Sequence, residues 1–251
     1  MYNKRRCIKI NSDESAETQQ DLVVEVPVTI YVNGRQAVTA MASPEMLKEY
    51  ATGFLVTESV VNNPDEIESV QVDGTKVSII TLNPRKIIFS KKTVLSGCGG
   101  TATVIDYSRL PFAPKGRIFG AKRIQDAVSE IKLSEEKKGA GEIQYAGIFS
   151  ASDTIAIAGD IGRDNALDKS IGAAVLKKTP LNECFAVISG RISSEIVRKC
   201  LYAQIPVIVS RGAATSLAYD IGLERDMTLL GLVSASKMIL YTGGHRIVGQ
   251  M

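Results

Sequence analysis

Residues 184–218 read CFAVISGRISSEIVRKCLYAQIPVIVSRGAATSLA. Two short apolar runs, CFAVIS (184–189) and PVIVS (206–210), flank the helix-type pattern SSEIVRKCLYAQ (193–204), in which Ile196, Val197, Cys200 and Leu201 share a face. An apolar run this short, without polar alternation, reads as a strand buried on both faces, and such strands joined through a helix lie parallel. The rhythm continues in both directions. A helix near 121–138 carries Ile124, Val128 and Ile131, strands follow at YAGIFSA (145–151) and TIAIAG (154–159), and NALDKSIGAAVLKK (165–178) reads as a helix. Beyond residue 214 come helix TSLAYDIG (215–222), strand TLLGLVS (228–234) and KMILYT (237–242), read as an antiparallel edge. The expectation is an α/β fold with a largely parallel sheet covered on both faces.

The first part has a different rhythm. Residues 22–42 read as a β-hairpin turning at Asn33–Gly34, the preferred pair for a two-residue type I′ turn. Ser43 and Pro44 suit the start of a helix through 43–55, with Leu47, Tyr50, Ala51, Phe54 and Leu55 on its apolar face. A second hairpin is expected at 70–82, turning at Asp73–Gly74. The chain thus divides into a small, mostly antiparallel α+β unit over 1–117 and an α/β domain over 118–251, with 91–117 as the connection. Cys7 reads as lying in a mobile tail.

The 251 residues leave ample material for a core, and 30 basic against 27 acidic residues argue against bulk nucleic-acid binding. No apolar run is long enough for a membrane span, the basic N-terminus lacks the apolar stretch of a secretory signal, and the widely spaced cysteines suit a reducing cytoplasm, the expected location. Cys7, Cys98, Cys184 and Cys200 form no close pair, and His245 is the one histidine, so no intrinsic metal site is expected. Cys184 and Cys200 read as inert core residues, and Asp168–Lys169 as a solvated helix face.

In open α/β sheets ligands bind beyond the carboxyl ends of the strands. Here those ends are GDIGRDN (159–165), SGR (Ser189, Gly190, Arg191), SRGAAT (210–215) and GLVSASK (231–237). Small residues there free backbone N–H groups for phosphate, and Arg163, Arg191, Arg211 and Lys237 add positive charge. An anionic, nucleotide-containing ligand follows as the expectation, although neither a Walker A sequence nor G-x-G-x-x-G is present. Cys98 lies in LSGCGGTA (95–102), downstream of Lys91 and Lys92. Either the glycines make a tight turn, or they let a reactive sulfur be approached. A thiol is a nucleophile as thiolate, which needs exposure and positive surroundings.

The order VPVTIYVNG (26–34), MASPEMLKEYATGFLVTESVV (41–61), SGCGG (96–100), AGDIGRDNALDKSIG (158–172), VISGRISSEIVRKC (187–200), IPVIVSRGAATSLA (205–218) and TLLGLVSASKMILYTGGHRI (228–247) is similar to the FdhD family of formate dehydrogenase accessory sulfurtransferases. The resemblance runs from about residue 22 to about 248. It implies a cytidine-deaminase-like fold for the second part. It also implies a carrier that takes sulfur from a cysteine desulfurase to a molybdenum or tungsten bis(guanine dinucleotide) cofactor bound as client, for delivery to formate dehydrogenase, with GDP as a surrogate ligand and a homodimer as the common state. By the same resemblance Cys98 is the persulfide carrier, and Leu232, Val233, Ser234, Ala235, Ser236 and Lys237 form the stretch that contacts the cofactor. The chain departs from the family at several points. Thr101 stands where many members carry a second loop cysteine, Gly159 and Asp164 replace an acid and a histidine, FSASDTIA (149–156) replaces a histidine-bearing segment, and Lys237 replaces an arginine. The zinc signature of the deaminases, H-x-E with P-C-x-x-C, is absent. Two other readings remain open from the residues: a nucleotide-binding enzyme without sulfur chemistry, and a non-catalytic maturation adaptor.

Overall fold

The computed structural model describes residues 2–12, 14–61, 63–82, 92–94, 107–137 and 143–249. The chain opens with a hairpin of β1 (Tyr2–Ile10) and β2 (Ser15–Val23), where the sequence suggests a tail. Apart from Tyr2 and Val23 at its base, both faces are exposed. The mixture of Lys, Arg, Gln and Glu carries no apolar alternation, which is why these strands are not legible as strands.

A five-stranded sheet follows, in the order β5-β6-β3-β4-β7. Its strands are β3 (Val26–Val32), β4 (Arg35–Ala42), β5 (Ile67–Asp73), β6 (Lys76–Thr81) and β7 (Lys92–Val94). The first hairpin turns at Asn33 and Gly34, both at positive φ, as expected. The second turns at Gly74–Thr75, one residue later than expected, because Asp73 pairs with Lys76. The sheet is mixed rather than mostly antiparallel: β3–β6 and β4–β7 run parallel. The chain leaves β4 through α1 (Leu47–Thr57) and returns by β5 and β6, which lays β6 beside β3 in the same direction. Ser43 does not cap α1. Met46 holds that position in the left-handed region, and Ser43 faces Asp160 instead.

The second sheet has the order β10-β9-β11-β12-β13-β14. The short β8 (Phe119–Gly120) enters α2 (Ala121–Lys137). Then come β9 (Gln144–Phe149), β10 (Thr154–Asp160), α3 (Arg163–Leu176), β11 (Phe185–Ile188), α4 (Ser194–Tyr202), β12 (Val207–Ser210), α5 (Ser216–Glu224), β13 (Thr228–Gly231) and β14 (Ile239–Thr242). Finally β15 (Ile247–Val248) pairs with β8. Only β11–β12 and β12–β13 are parallel neighbours, so this sheet too is mixed. The cause is local. Ser150 closes a tight turn to Asp153 (N–H to O, 2.9 Å), which forces β10 back along β9, and α3 then carries the chain across β9 to β11. The edge strand β14 is antiparallel, as the sequence suggests.

Side chains alternate cleanly between the two faces of this sheet. Tyr145, Phe149, Phe185, Val187, Val207, Val209 and Leu230 pack with Ile124, Val128 and Ile131 of α2. On the other face Ala146, Ile148, Ala186, Ile188, Ile208 and Leu229 join one core with residues of α1, α3, α4 and α5 and with Val28, Ile30, Val77 and Ile79 of the first sheet. The layers therefore run sheet, helices, sheet, helix.

Candidate site at the carboxyl ends of the second sheet

Strands β10, β11, β12 and β13 end at the same edge, because β9 is antiparallel to both β10 and β11 and the rest follow in parallel. The four sequence-predicted turns therefore converge. Their backbones lace together: Ile192 N–H donates to Ala213 O at 3.0 Å, Thr215 N–H to Ile192 O at 2.9 Å, and Leu232 N–H to Gly212 O at 3.0 Å. Two glycines make this lacing possible. A β-carbon on Gly212 would lie 3.0 Å from Arg191 N, and one on Gly231 would lie 2.8 Å from Gly212 O.

The candidate residues take different parts. Ser189 is tied to the sheet, its hydroxyl accepting from Tyr145 N–H at 3.0 Å. Gly190 lies against Arg163 and Gln144, and its carbonyl accepts from Ser210 Oγ. The Arg191 side chain is exposed, while its carbonyl accepts from Arg163 Nη1 at 3.1 Å. Arg163 also donates to Ser193 Oγ at 3.3 Å, so its guanidinium holds the neighbouring turn. Arg211 pairs with Glu135 of α2 at 2.6 Å. In the last turn Leu232 sits at positive φ and, with Ala235, Ser236 and Lys237, is exposed, whereas Val233 is buried and its N–H donates to Ser210 O at 3.1 Å. Ser234 closes the turn, its N–H donating to Lys237 O at 2.8 Å, and Gln125 of α2 donates to Ala235 O at 3.0 Å.

Two buried donors beside these turns, Arg211 Nε and Tyr145 Oη, have no hydrogen-bond partner among the described residues. Burial, with a smaller contribution from Tyr2 and Glu135, raises the Tyr145 phenol above its ordinary value and keeps it neutral. Helices α4 and α5 begin at this edge, capped by Ser193 and Thr215, while α3 begins from Gly162 with no side-chain cap. The edge thus presents helix N-termini and exposed Arg191 and Lys237, a set suited to phosphate.

Asp168 and Lys169 are buried, not a solvated face. Asp168 accepts from Thr57 Oγ1 at 2.7 Å and pairs with Lys199 at 2.8 Å. Burial pushes its carboxyl up to about 6, against the pull of Lys199. Burial also opposes the Lys199 charge, yet Asp168 and Glu58 hold that ammonium above the ordinary lysine range. Lys169 pairs with Asp160 at 2.6 Å, both side chains fully buried. The readable signal is that α3 has no polar stripe: Ala166, Leu167, Ser170, Ile171, Gly172 and Ala174 surround the charged pair, so the helix is buried nearly all round.

Cys98 lies outside the described residues, as do Thr101 and the rest of 95–106. Its approach strand is described. Val94 of β7 lies opposite Ala40 of β4, in parallel. Three residues beyond Ala40, Ser43 donates its N–H to Asp160 Oδ2 at 2.9 Å, at the end of β10. Cys98 is the fourth residue beyond Val94, within at most ~14 Å of it along the chain. Of the other thiols, burial raises Cys184 to about 11 and puts Cys200 higher still, consistent with inert core sulfur. Cys7 is exposed in the middle of β1. His245 lies at the surface, 3.7 Å from Asp226.

The model of the FdhD/NarQ family matches residues 23–248. The sulfur carrier protein FdhD of Wolinella succinogenes is 32% identical over 240 residues, covering 92% of this chain and 84% of that protein. The protein of the same name from Listeria innocua is 31% identical, covering 98% and 99% respectively. A crystal structure described as a candidate formate dehydrogenase accessory protein from Desulfotalea psychrophila superposes with a TM-score of 0.80 at 20% identity, over 98% of this chain and 99% of that one, which establishes the fold.

Proposed function

The chain belongs to the FdhD/NarQ family, and on that premise we propose that it is a sulfur carrier serving the maturation of formate dehydrogenase, with Cys98 as the carrying thiol. The observation that carries this reading is the junction of Ser43 with Asp160. The strand that leads towards Cys98 runs beside β4, and the end of β4 is bonded to the first turn of the phosphate-suited edge. A thiol and a nucleotide-bearing client can meet there without either crossing the molecule.

The chemistry needs two exchanges. The Cys98 thiolate attacks the outer sulfur of a cysteine desulfurase persulfide. A new S–S bond forms as the old one breaks, so that Cys98 carries S–SH and the desulfurase thiolate departs. A second thiol, supplied by a partner or a small-molecule reductant, then attacks the Cys98 sulfur. It gives a mixed disulfide and releases the outer sulfur as sulfide to the client, the two electrons coming from the thiol pair. Thr101 stands where a loop cysteine would do this internally, so the second thiol is external here.

The client is a molybdenum or tungsten cofactor of the bis(guanine dinucleotide) type, and GDP is its surrogate. Arg191 and Lys237 meet its phosphates. Gly190, exposed Leu232, Ala235 and Ser236, and the Ser234 turn line its course, with Val233 buried beneath them and Ser189 fixing the second turn. The reading includes a homodimer, a cytoplasmic setting and a cytidine-deaminase-like description of 118–251. What supports the last is a mixed sheet with α3, α4 and α5 on one face and α2 on the other. No helix among the described residues is long and apolar enough to cross a membrane.

The test is maturation in a cell lacking its own accessory protein. The unaltered chain restores formate dehydrogenase activity and Cys98→Ala does not, though it folds and binds GDP. Equal restoration by both chains would leave an adaptor as the better account.

A further inference from the structure

We propose that Asn165 is a positioning residue for sulfur delivery, locking the turn that opens the ligand edge onto the strand pair that leads to Cys98; this rests on the sulfur-carrier reading. Asn165 lies in the first turn of α3, and its Nδ2 donates to Met41 O at 2.9 Å and to Asp160 Oδ1 at 3.0 Å. The same Oδ1 accepts from Gly162 N–H at 2.8 Å. The other oxygen, Oδ2, accepts from Ser43 N–H at 2.9 Å and pairs with Lys169 at 2.6 Å, and Lys169 also donates to Ser43 O at 2.9 Å. Ile161 N–H reaches Ser43 Oγ at 3.3 Å. One fully buried carboxylate thus binds residues 43, 162, 165 and 169 together, and Asn165 extends the joint to residue 41.

The cost of burying charge makes this arrangement informative. A buried ion pair is often matched or bettered in stability by apolar side chains of the same volume. What the apolar alternative lacks is direction. The donors meeting Asp160 come from two segments more than a hundred residues apart, and each fixes one angle of the turn against the end of β4. The turn has no slack on the other side, since a β-carbon on Gly162 would lie 3.0 Å from Asn165 Nδ2. β4 in turn holds β7 through Val38–Lys92, Thr39–Thr93 and Ala40–Val94. The sequence reading places Asn165 in the GDIGRDN turn without giving its side chain a role, and both N–H bonds of its amide nitrogen are taken up by Met41 O and Asp160 Oδ1. It acts on the distance between sulfur and client, without touching either.

Asn165→Ala removes both bonds while keeping a strong helix former in α3. Asn165→Asp keeps the shape and sets an acceptor against two acceptors. Each variant is measured three ways beside the unaltered chain: sulfur loaded on Cys98 by a cysteine desulfurase, read by intact mass; GDP affinity by calorimetry; and formate dehydrogenase activity restored in a cell lacking its own accessory protein. Both variants should load sulfur and bind GDP within twofold of the unaltered chain, yet restore at least tenfold less activity. Activity within twofold would overturn the proposal. So would loading or GDP affinity that falls in step with activity, because Asn165 would then serve only the fold. Full activity from Cys98→Ala in the same cells would instead sink the sulfur-carrier reading beneath it.

Discussion

Gly53 and Gly172 meet backbone to backbone where α1 crosses α3: a β-carbon built on Gly172 would lie 2.7 Å from Gly53 N and 1.8 Å from Glu49 O. No side chain fits at either position, so this contact sets how closely the first sheet and its helix approach the second. That closeness in turn brings the end of β4 to Asp160.

Gly172→Ala should therefore lower the unfolding free energy by about 3 kcal/mol or more, since a methyl against backbone has no rotamer escape. Urea denaturation would read this as a lower midpoint with an unchanged slope. A loss below about 1 kcal/mol would mean that the two helices slide apart easily.

The buried Asp168 carboxyl predicts a pH effect of defined sign. Its folded value, about 6, lies above the ordinary value of 3.8 because of burial. Between those values the folded chain holds a proton that the unfolded chain releases, so this group favours folding more as pH falls from 7 to 5, by about 1 kcal/mol. Asp168→Asn lacks the group. The stability difference between the natural chain and the variant should shift towards the natural chain by that amount over the window, and a shift of opposite sign would refute the assignment.

Thiol reactivity separates the cysteines. In the folded protein at pH 8, iodoacetamide should label Cys7 within minutes and leave Cys184 and Cys200 unlabelled until denaturant is added, as their burial requires. Peptide mass mapping reads this directly, and early labelling of Cys200 would contradict its place on the buried face of α4.

Gly231→Ala tests the phosphate edge. Its β-carbon would press on Tyr241 and on Gly212 O, displacing the Leu232 N–H that binds the same carbonyl. GDP affinity should fall about tenfold or more while circular dichroism stays unchanged, and Lys237→Ala should weaken GDP binding with a smaller salt dependence. Unchanged affinity in both would move the ligand elsewhere.

Much of this was legible in the residues. The apolar runs at 185–188 and 207–210, too short for helices and joined through one, read as buried parallel strands, and the turns that follow them converge as expected. Strand pairing was less legible, because β9 is reversed by a four-residue turn and β6 reaches β3 only through α1, neither of which leaves a periodic trace. Ser43 carries every mark of a helix cap, but tertiary contact claims it for Asp160. Asp168 and Lys169 look solvated until their helix is seen to be enclosed on nearly all sides.

The central claim, that Cys98 carries sulfur, is tested most directly by intact mass after incubation with a cysteine desulfurase and free cysteine, with and without reductant, beside Cys98→Ala. A Cys98 persulfide shows as a gain of one sulfur atom that reductant removes and the variant lacks. No gain, or a gain that persists in the variant, would contradict it.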